Sequence, residues 1–288
     1  MIKKTAFILN IRKKEIMISN KNFPFKLCTT SFIYPDHIIP NVKLLGRHFD
    51  EIELLIFESR PDAVLPSKDE IKTLVTLSKE LSVSYNVHLP VDVSITGSSI
   101  LDRQKGIDTI KKVVALTAEL SPSTHTLHLD FNSEGPNPSE YDIKKWQETT
   151  CESLEKLLSS GISPELISVE TLEYPFEYLN GILDEFGLSV CVDAGHLIKC
   201  GFSTTTVFQR YASKIPLVHF HGVDFSCNPP KDHVSLDKTP IKKMESILNI
   251  LKEFKGVVSL EVFNYNHLTA SLAFMESIQW NSGDTDCP

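Results

Sequence analysis

Apolar residues in this chain come in short runs, and most of the runs carry a histidine or a carboxylate at or near their end. They are VHLP at His88, LHLD at His128, SVETL at Glu170, VCVDAGH at Asp193 and His196, LVHFHGVD at His219 and His221, SLEVF at Glu261 and IFE at Glu58. Strand-like windows fall near 26–32, 52–58, 84–90, 124–130, 166–172, 188–194, 216–223 and 256–263. The segments between them repeat apolar residues at helical spacing. Ile71, Leu74, Val75, Leu77 and Leu81 form one stripe, opened by a Ser67–Glu70 capping box. Ile107, Ile110, Val113 and Val114 form a second, and Ile241, Met244, Ile247, Leu248, Leu251 and Phe254 a third. Mostly apolar strands that alternate with helices predict a parallel sheet covered on both faces. With eight such units the expectation is one α/β domain, a closed (β/α)8 TIM barrel. A doubly wound open sheet is the alternative, but it would gather ligands from only two or three strands at one switch point.

The chain's 288 residues suit one barrel domain, which typically needs about 250. Residues 1–24 read as a basic N-terminal extension, with Lys3, Lys4, Arg12, Lys13, Lys14 and Lys21 against Glu15, and 25–288 as the barrel. The apolar stretch from Thr5 to Ile11 is too short to span a bilayer. A formal net charge of -8 disfavours a nucleic-acid partner, which calls for a basic footprint. None of the six cysteines forms a CxxC pair, so a reducing cytoplasm is the expected location, with no membrane partner. Trp146 and Trp280 are expected on helices as packing residues. Two turn-rich stretches, 132–140 and 224–240, read as long loops at the active face.

Chemistry in a βα barrel sits at the C-terminal ends of the strands. Residues two apart on a strand share a face, so His219 and His221 both point to the mouth, as do His128 and Asp130. Asp193 ends a strand and His196 lies one turn on. Glu170, Asp193, His221 and Glu261 come from four successive strands, enough for one divalent ion with positions left open. His88, His128, His196 and His233 are further ligands for a second or third ion. Zinc, manganese, iron and cobalt all accept such a nitrogen and oxygen set. His37, His48, His125 and His267 have no comparable placement.

The order His88, His128, Glu170, Asp193-x-x-His196, His221-x-x-Asp224, His233, Glu261 resembles the xylose-isomerase-like and endonuclease IV superfamily from residue 26 on. In endonuclease IV the matching positions hold three zinc ions that cleave phosphodiesters. The sugar isomerases of the superfamily keep only the four-ligand set. The resemblance selects His221, three residues before Asp224, over His219, which would lie roughly 6–7 Å deeper. The pattern departs beside His233. Where the nuclease has an aspartate two residues earlier, this chain has Lys231, and Asp232 is expected to point elsewhere.

The segments TTSFIYPDHIIPNVKLL, ELLIFES, YNVHLPVD, LHLD, SVETLEYP, DAGHL, HFHGV, DHVSL and LEVF resemble the cobamide-remodelling phosphodiesterases. That likeness implies hydrolysis of the nucleotide loop of adenosylated cobamides, with a corrinoid as the small-molecule partner. Glu170, Glu261 and His196 are the expected catalytic residues, and Lys231 is a candidate to neutralise a phosphate oxygen. A sugar isomerase or epimerase is the alternative, with one ion and with Glu170 and Glu261 as acid and base. A DNA repair nuclease and a non-catalytic corrinoid-binding protein are more distant readings.

Overall fold

Alternation along each strand sorts its residues onto two faces. A computed structural model describes residues 23–57, 65–132 and 137–280. Its strands are β1 (Lys26–Thr30), β2 (Glu51–Leu55), β3 (Ser84–His88), β4 (His125–Leu127), β5 (Ile167–Glu170), β6 (Ser189–Asp193), β7 (Leu217–Phe220), β8 (Gly222–Asp224), β9 (Lys231–Val234) and β10 (Val257–Leu260). Strands β1 to β7 each pair in parallel with the next, and β10 closes the ring between β7 and β1. The expected (β/α)8 barrel is therefore the fold.

The main helices are α1 (Ile38–Leu45), α2 (Lys68–Leu81), α3 (Ile100–Thr117), α4 (Glu140–Leu158), α5 (Ile182–Phe186), α6 (Ala194–Cys200), α7 (Thr204–Tyr211), α8 (Ile241–Leu251) and α9 (Tyr265–Ser277). The capping box forms as the sequence predicts. Ser67 Oγ accepts from the Glu70 amide at 3.3 Å, and Glu70 accepts from the Ser67 amide at 2.8 Å. Among the described residues no helix is long and apolar enough to cross a membrane.

The outer faces of the strands are apolar. Ile52, Leu54, Val87, Val169, Val190, Val192, Val218, Phe220 and Leu260 are all buried in one core with the helices. The inner faces are not, which departs from the expectation of strands apolar on both sides. A small plug of Cys28, Cys191, Leu217 and Val257 is apolar there. The lumen also carries Glu51, Glu53, Asn86, Ser168, His219 and Ser259, all buried. In β2, with sequence EIELL, the two glutamates take the inner face and Ile52 and Leu54 the outer one.

The strands are shorter than predicted, chiefly at their C-terminal ends. His128 and Asp130 follow β4, which stops at Leu127, and His221 follows β7, which stops at Phe220. These residues leave the ladder in order to line the mouth. Residues 224–240 are not an open loop. The antiparallel pair β8–β9 and a short helical turn at Leu236–Lys238 fold most of the segment back onto the barrel. Of the 132–140 stretch, residues 133–136 lie outside the described residues, as do Glu58, Cys287 and residues 1–22 of the expected extension. Trp146 sits in α4 and donates through Nε1 to the Asp130 carbonyl at 2.8 Å. Trp280 lies just past α9, not on a helix, and meets Phe25 edge-on at 5.2 Å.

His125 is buried under α3, its Nε2 within 3.1 Å of Thr117 Oγ1. Burial pushes its imidazole down to about 4. The unfolded chain, titrating near its ordinary value of about 6.5, binds this proton first as pH falls. The neutral ring therefore contributes stability above about pH 6.5, and that contribution is lost as pH falls toward 4, on the order of 3 kcal/mol at most. We predict that His125→Gln destabilises the protein at pH 7. The gap to the parent should narrow by most of that amount at pH 4.5, measured by urea unfolding at both values. A gap that stays constant with pH would show that His125 does not titrate this way.

Candidate metal centre

The lumen is layered by charge. Below the mouth, Glu51 accepts from Asn86 Nδ2 at 2.8 Å and from Ser123 Oγ at 2.5 Å. One layer higher, Glu53 accepts from Ser259 Oγ at 2.6 Å and pairs with His219 Nε2 at 2.8 Å. Ladder register sets this contact, because β7 places His219 between Asp193 on β6 and Ser259 on β10. Glu170, Asp193 and Glu261 stand above, fully or almost fully buried.

Among the described residues several groups of donor atoms follow, one of them Glu53, His88 and His219 at the base. Glu170, Asp193, His219 and Glu261 bring one atom each to within 4.8 Å of one another. His88, His128 and Glu170 form a second group, with Glu170 Oε2 at 3.2 Å from His88 Nε2 and 2.7 Å from His128 Nε2. His196, His221 and His233 form a third. Glu170 is common to the first two, and His221 Nε2 touches Asp193 at 3.1 Å. Farther out, Glu173 and Asp232 converge on His196, with Asp232 Oδ2 at 3.9 Å from its Nε2.

Glu170 and Glu261 are held in the charged form by the imidazoles that face them. Burial works to raise the Glu170 carboxyl, yet His128 and His219 hold it well below the usual carboxylate range. Glu261 is likewise held low by His219 and His233 against its own burial. The imidazoles respond in the opposite sense. Burial opposes their charge, but Glu170 lifts His88 to about 9 and Asp193 lifts His221 to about 9. His219 is also raised against its burial, with Glu53, Glu261 and Glu170 among the groups that raise it.

Backbone choices make room for this packing. Asp193 caps α6, its Oδ1 accepting from the His196 amide at 2.7 Å. A Cβ on Gly195 would lie 2.1 Å from His221 Cε1, so only glycine lets the ring lie against this turn. His233 adopts a left-handed φ of 49°, uncommon for a side chain of its size. Its amide donates to His221 Nδ1 at 3.1 Å, which sets the two rings 4.0 Å apart.

These residues fit a divalent ion. Nitrogen and oxygen donors of borderline hardness converge in a buried space. Two buried atoms inside it, Glu261 Oε2 and His196 Nδ1, have no hydrogen bond. Above them opens a pocket of about 270 Å³, walled on one side by Leu55, Phe57, Val91 and Phe263.

Every site residue named from the sequence stands at this end of the barrel: Glu170, Asp193, His221, Glu261, His88, His128, His196 and His233. The geometry adds three more. His219 reaches down to Glu53 and also presents Nδ1 to Glu170 at 3.1 Å, so it shares the inner carboxylates although it lies deeper than His221. Glu53 had a readable signal, the Glu-x-Glu alternation in an apolar run. Asp232 had none. It faces His196, contrary to the expectation that it points elsewhere, because β9 folds back across the mouth. Asp130 takes part through its carbonyl, which holds Thr96 and Trp146. Asp224 is engaged by Ser226 at 2.9 Å, and Lys231 is exposed on β9.

Two outcomes are expected from this packing. Gly195→Ala should displace His221, lower bound metal in elemental analysis, and cost about 1–3 kcal/mol of stability as an overpacked site. Glu53→Gln should weaken metal affinity about 10–100-fold while the far-ultraviolet circular dichroism is kept, because Glu53 orients His219 from behind. Undiminished affinity in both variants would contradict the assigned geometry.

No curated protein sequence matches the chain. Solved structures share its fold at low identity. A D-tagatose 3-epimerase-like protein superposes with a TM-score of 0.65 at 17% identity, over 88% of this chain and 96% of its own. The 3-keto-D-glucoside 4-epimerase from E. coli gives 0.60 at 13%, over 88% and 100%. An IOLI protein with a bound zinc atom gives 0.63 at 18%, over 87% and 94%. Residues 41–281 match a family described as the xylose isomerase-like TIM barrel, and the chain belongs to that family.

Proposed function

We propose that this chain is a metal-dependent phosphodiesterase that hydrolyses the nucleotide loop of adenosylated cobamides, leaving adenosylcobinamide phosphate and freeing the lower-ligand riboside. One observation carries the reading: the donor atoms outnumber what a single ion can use. A quartet of three carboxylates and an imidazole is flanked by two more groups rich in histidine. An array of that kind suits in-line displacement at phosphorus, where charge develops on both the attacking and the leaving oxygen. The cobamide motifs of the sequence supply the substrate.

In this reading Glu170, Asp193, Glu261 and His219 would hold the inner ion, and His88, His128, His196, His221 and His233 would serve further positions or the phosphate. Divalent ions there supply Lewis acidity to a phosphoryl oxygen and make water nucleophilic near neutral pH. Water adds its oxygen to phosphorus, one P–O ester bond breaks, and the leaving oxygen takes a proton. His196, which lines the pocket, is the candidate to give that proton. A pocket of about 270 Å³ is too small for a corrin ring. In this reading the phosphate end enters, and the macrocycle stays outside against Val91 and Phe263, the exposed apolar residues among the pocket's lining.

A sugar isomerase or epimerase is the second reading, and the comparisons favour it. Structures of similar fold include a D-tagatose 3-epimerase-like protein and an L-ribulose 3-epimerase, and the pocket's size also fits a monosaccharide. Glu170 and Glu261 would then be the acid and base. One experiment separates the two. Metal-loaded protein is incubated with adenosylcobalamin and, separately, with a panel of ketoses, and products are read by chromatography with mass detection. The expected product is adenosylcobinamide phosphate, with turnover falling at least about 100-fold in Glu261→Ala. Intact corrinoid beside an epimerised ketose would establish the second reading.

A further inference from the structure

The outer edge of the centre already contains a cation. Lys199 lies one turn beyond His196 on α6, so the two side chains rise on the same side of the helix. Its Nζ donates to Asp232 Oδ2 at 2.6 Å and to Glu173 Oε1. These two carboxylates, together with His196, form a donor group whose atoms lie within 4.8 Å of one another. The ammonium is thus bonded to two of the three ligands that a metal would need there.

Two observations make this more than a surface ion pair. Lys199 is 19% exposed and Asp232 24%, so the pair is partly shielded from solvent. Asp232 Oδ2 also lies 3.9 Å from His196 Nε2, so the carboxylate that holds the ammonium borders the imidazole trio beside it.

An ammonium has three donors and no acceptor, so it cannot ligate a metal. A divalent ion binds a carboxylate oxygen at about 2.0–2.2 Å, closer than the ammonium does. Both cannot occupy one triangle of donors, because two positive charges a few ångströms apart repel.

We propose that Lys199 is a built-in cation that fills the outermost cation position of the centre, formed by Glu173, His196 and Asp232. Divalent metal is then confined to the deeper groups around Glu170, and removal of the lysine charge opens one further position for a borderline ion such as zinc. The inference rests on the reading of the barrel mouth as a metal centre. It assigns Lys199 a positioning role that sets metal number, not a catalytic one.

Zinc stoichiometry tests it without any activity assay. The full chain is stripped by chelator, loaded with zinc alone, separated from excess ion by gel filtration, and analysed for metal per chain. Lys199→Met should hold one more zinc than the parent. The double variant Lys199→Met with Asp232→Asn should return to the parent number. Asp232→Asn alone should leave the parent number unchanged, and this variant stands in if Lys199→Met does not fold. A parent-like count in folded Lys199→Met, or the loss of one ion in Asp232→Asn, overturns the proposal. A parent that binds no zinc overturns the metal-centre reading itself, and so the two failures are distinguishable.

Discussion

Three carboxylates closed into a dry barrel mouth need positive charge, and much of the local architecture serves that need. Glu170, Asp193 and Glu261 are almost without solvent contact. Isolated in such a place a carboxylate would take up a proton. Here histidines from β3, β7, β9 and α6 and from the segments after β4 and β7 approach them on several sides. A divalent ion answers the same electrostatic demand with a larger charge, so protons and metal compete for one set of groups.

Support from below makes the arrangement rigid. His219 joins two layers, with Glu53 and Ser259 beneath it and the inner carboxylates above. Because the partners are all on barrel strands, their spacing is fixed by ladder register and not by loop packing. Above, the fit is made by local exceptions: a glycine where the His221 ring needs space, and a left-handed histidine where β9 turns back. Backbone strain at such a point is tolerated when neighbouring contacts over-determine it.

The mouth is mixed in character. Leu55, Phe57, Val91 and Phe263 line its pocket beside His88, His128, Glu170, His196, His233 and Glu261, and Lys199 is tied between Glu173 and Asp232 outside that lining.

The sequence by itself determined the barrel and the order of its eight strands, and it named ligand-type residues that gather at one end. Eight apolar runs separated by helical stripes leave few other closed topologies, and residues at or near run ends such as His88, Glu170 and Asp193 mark the face that carries the candidate site. The signal is local, because strand period and helix period are written in neighbouring residues. Three things were decided only by tertiary structure. The lumen is polar, which the apolar tone of the strands concealed, since the outer faces dominate their composition. His219 shares the inner carboxylates with Glu53 at its back, a contact between β2 and β7 that depends on how the ring of strands closes. Asp232 and Lys199 meet at the mouth because a hairpin in an expected loop returns across it. Each of these joins residues far apart in the chain, and such contacts are fixed by closure, register and hairpin return, which leave no periodic trace in the sequence.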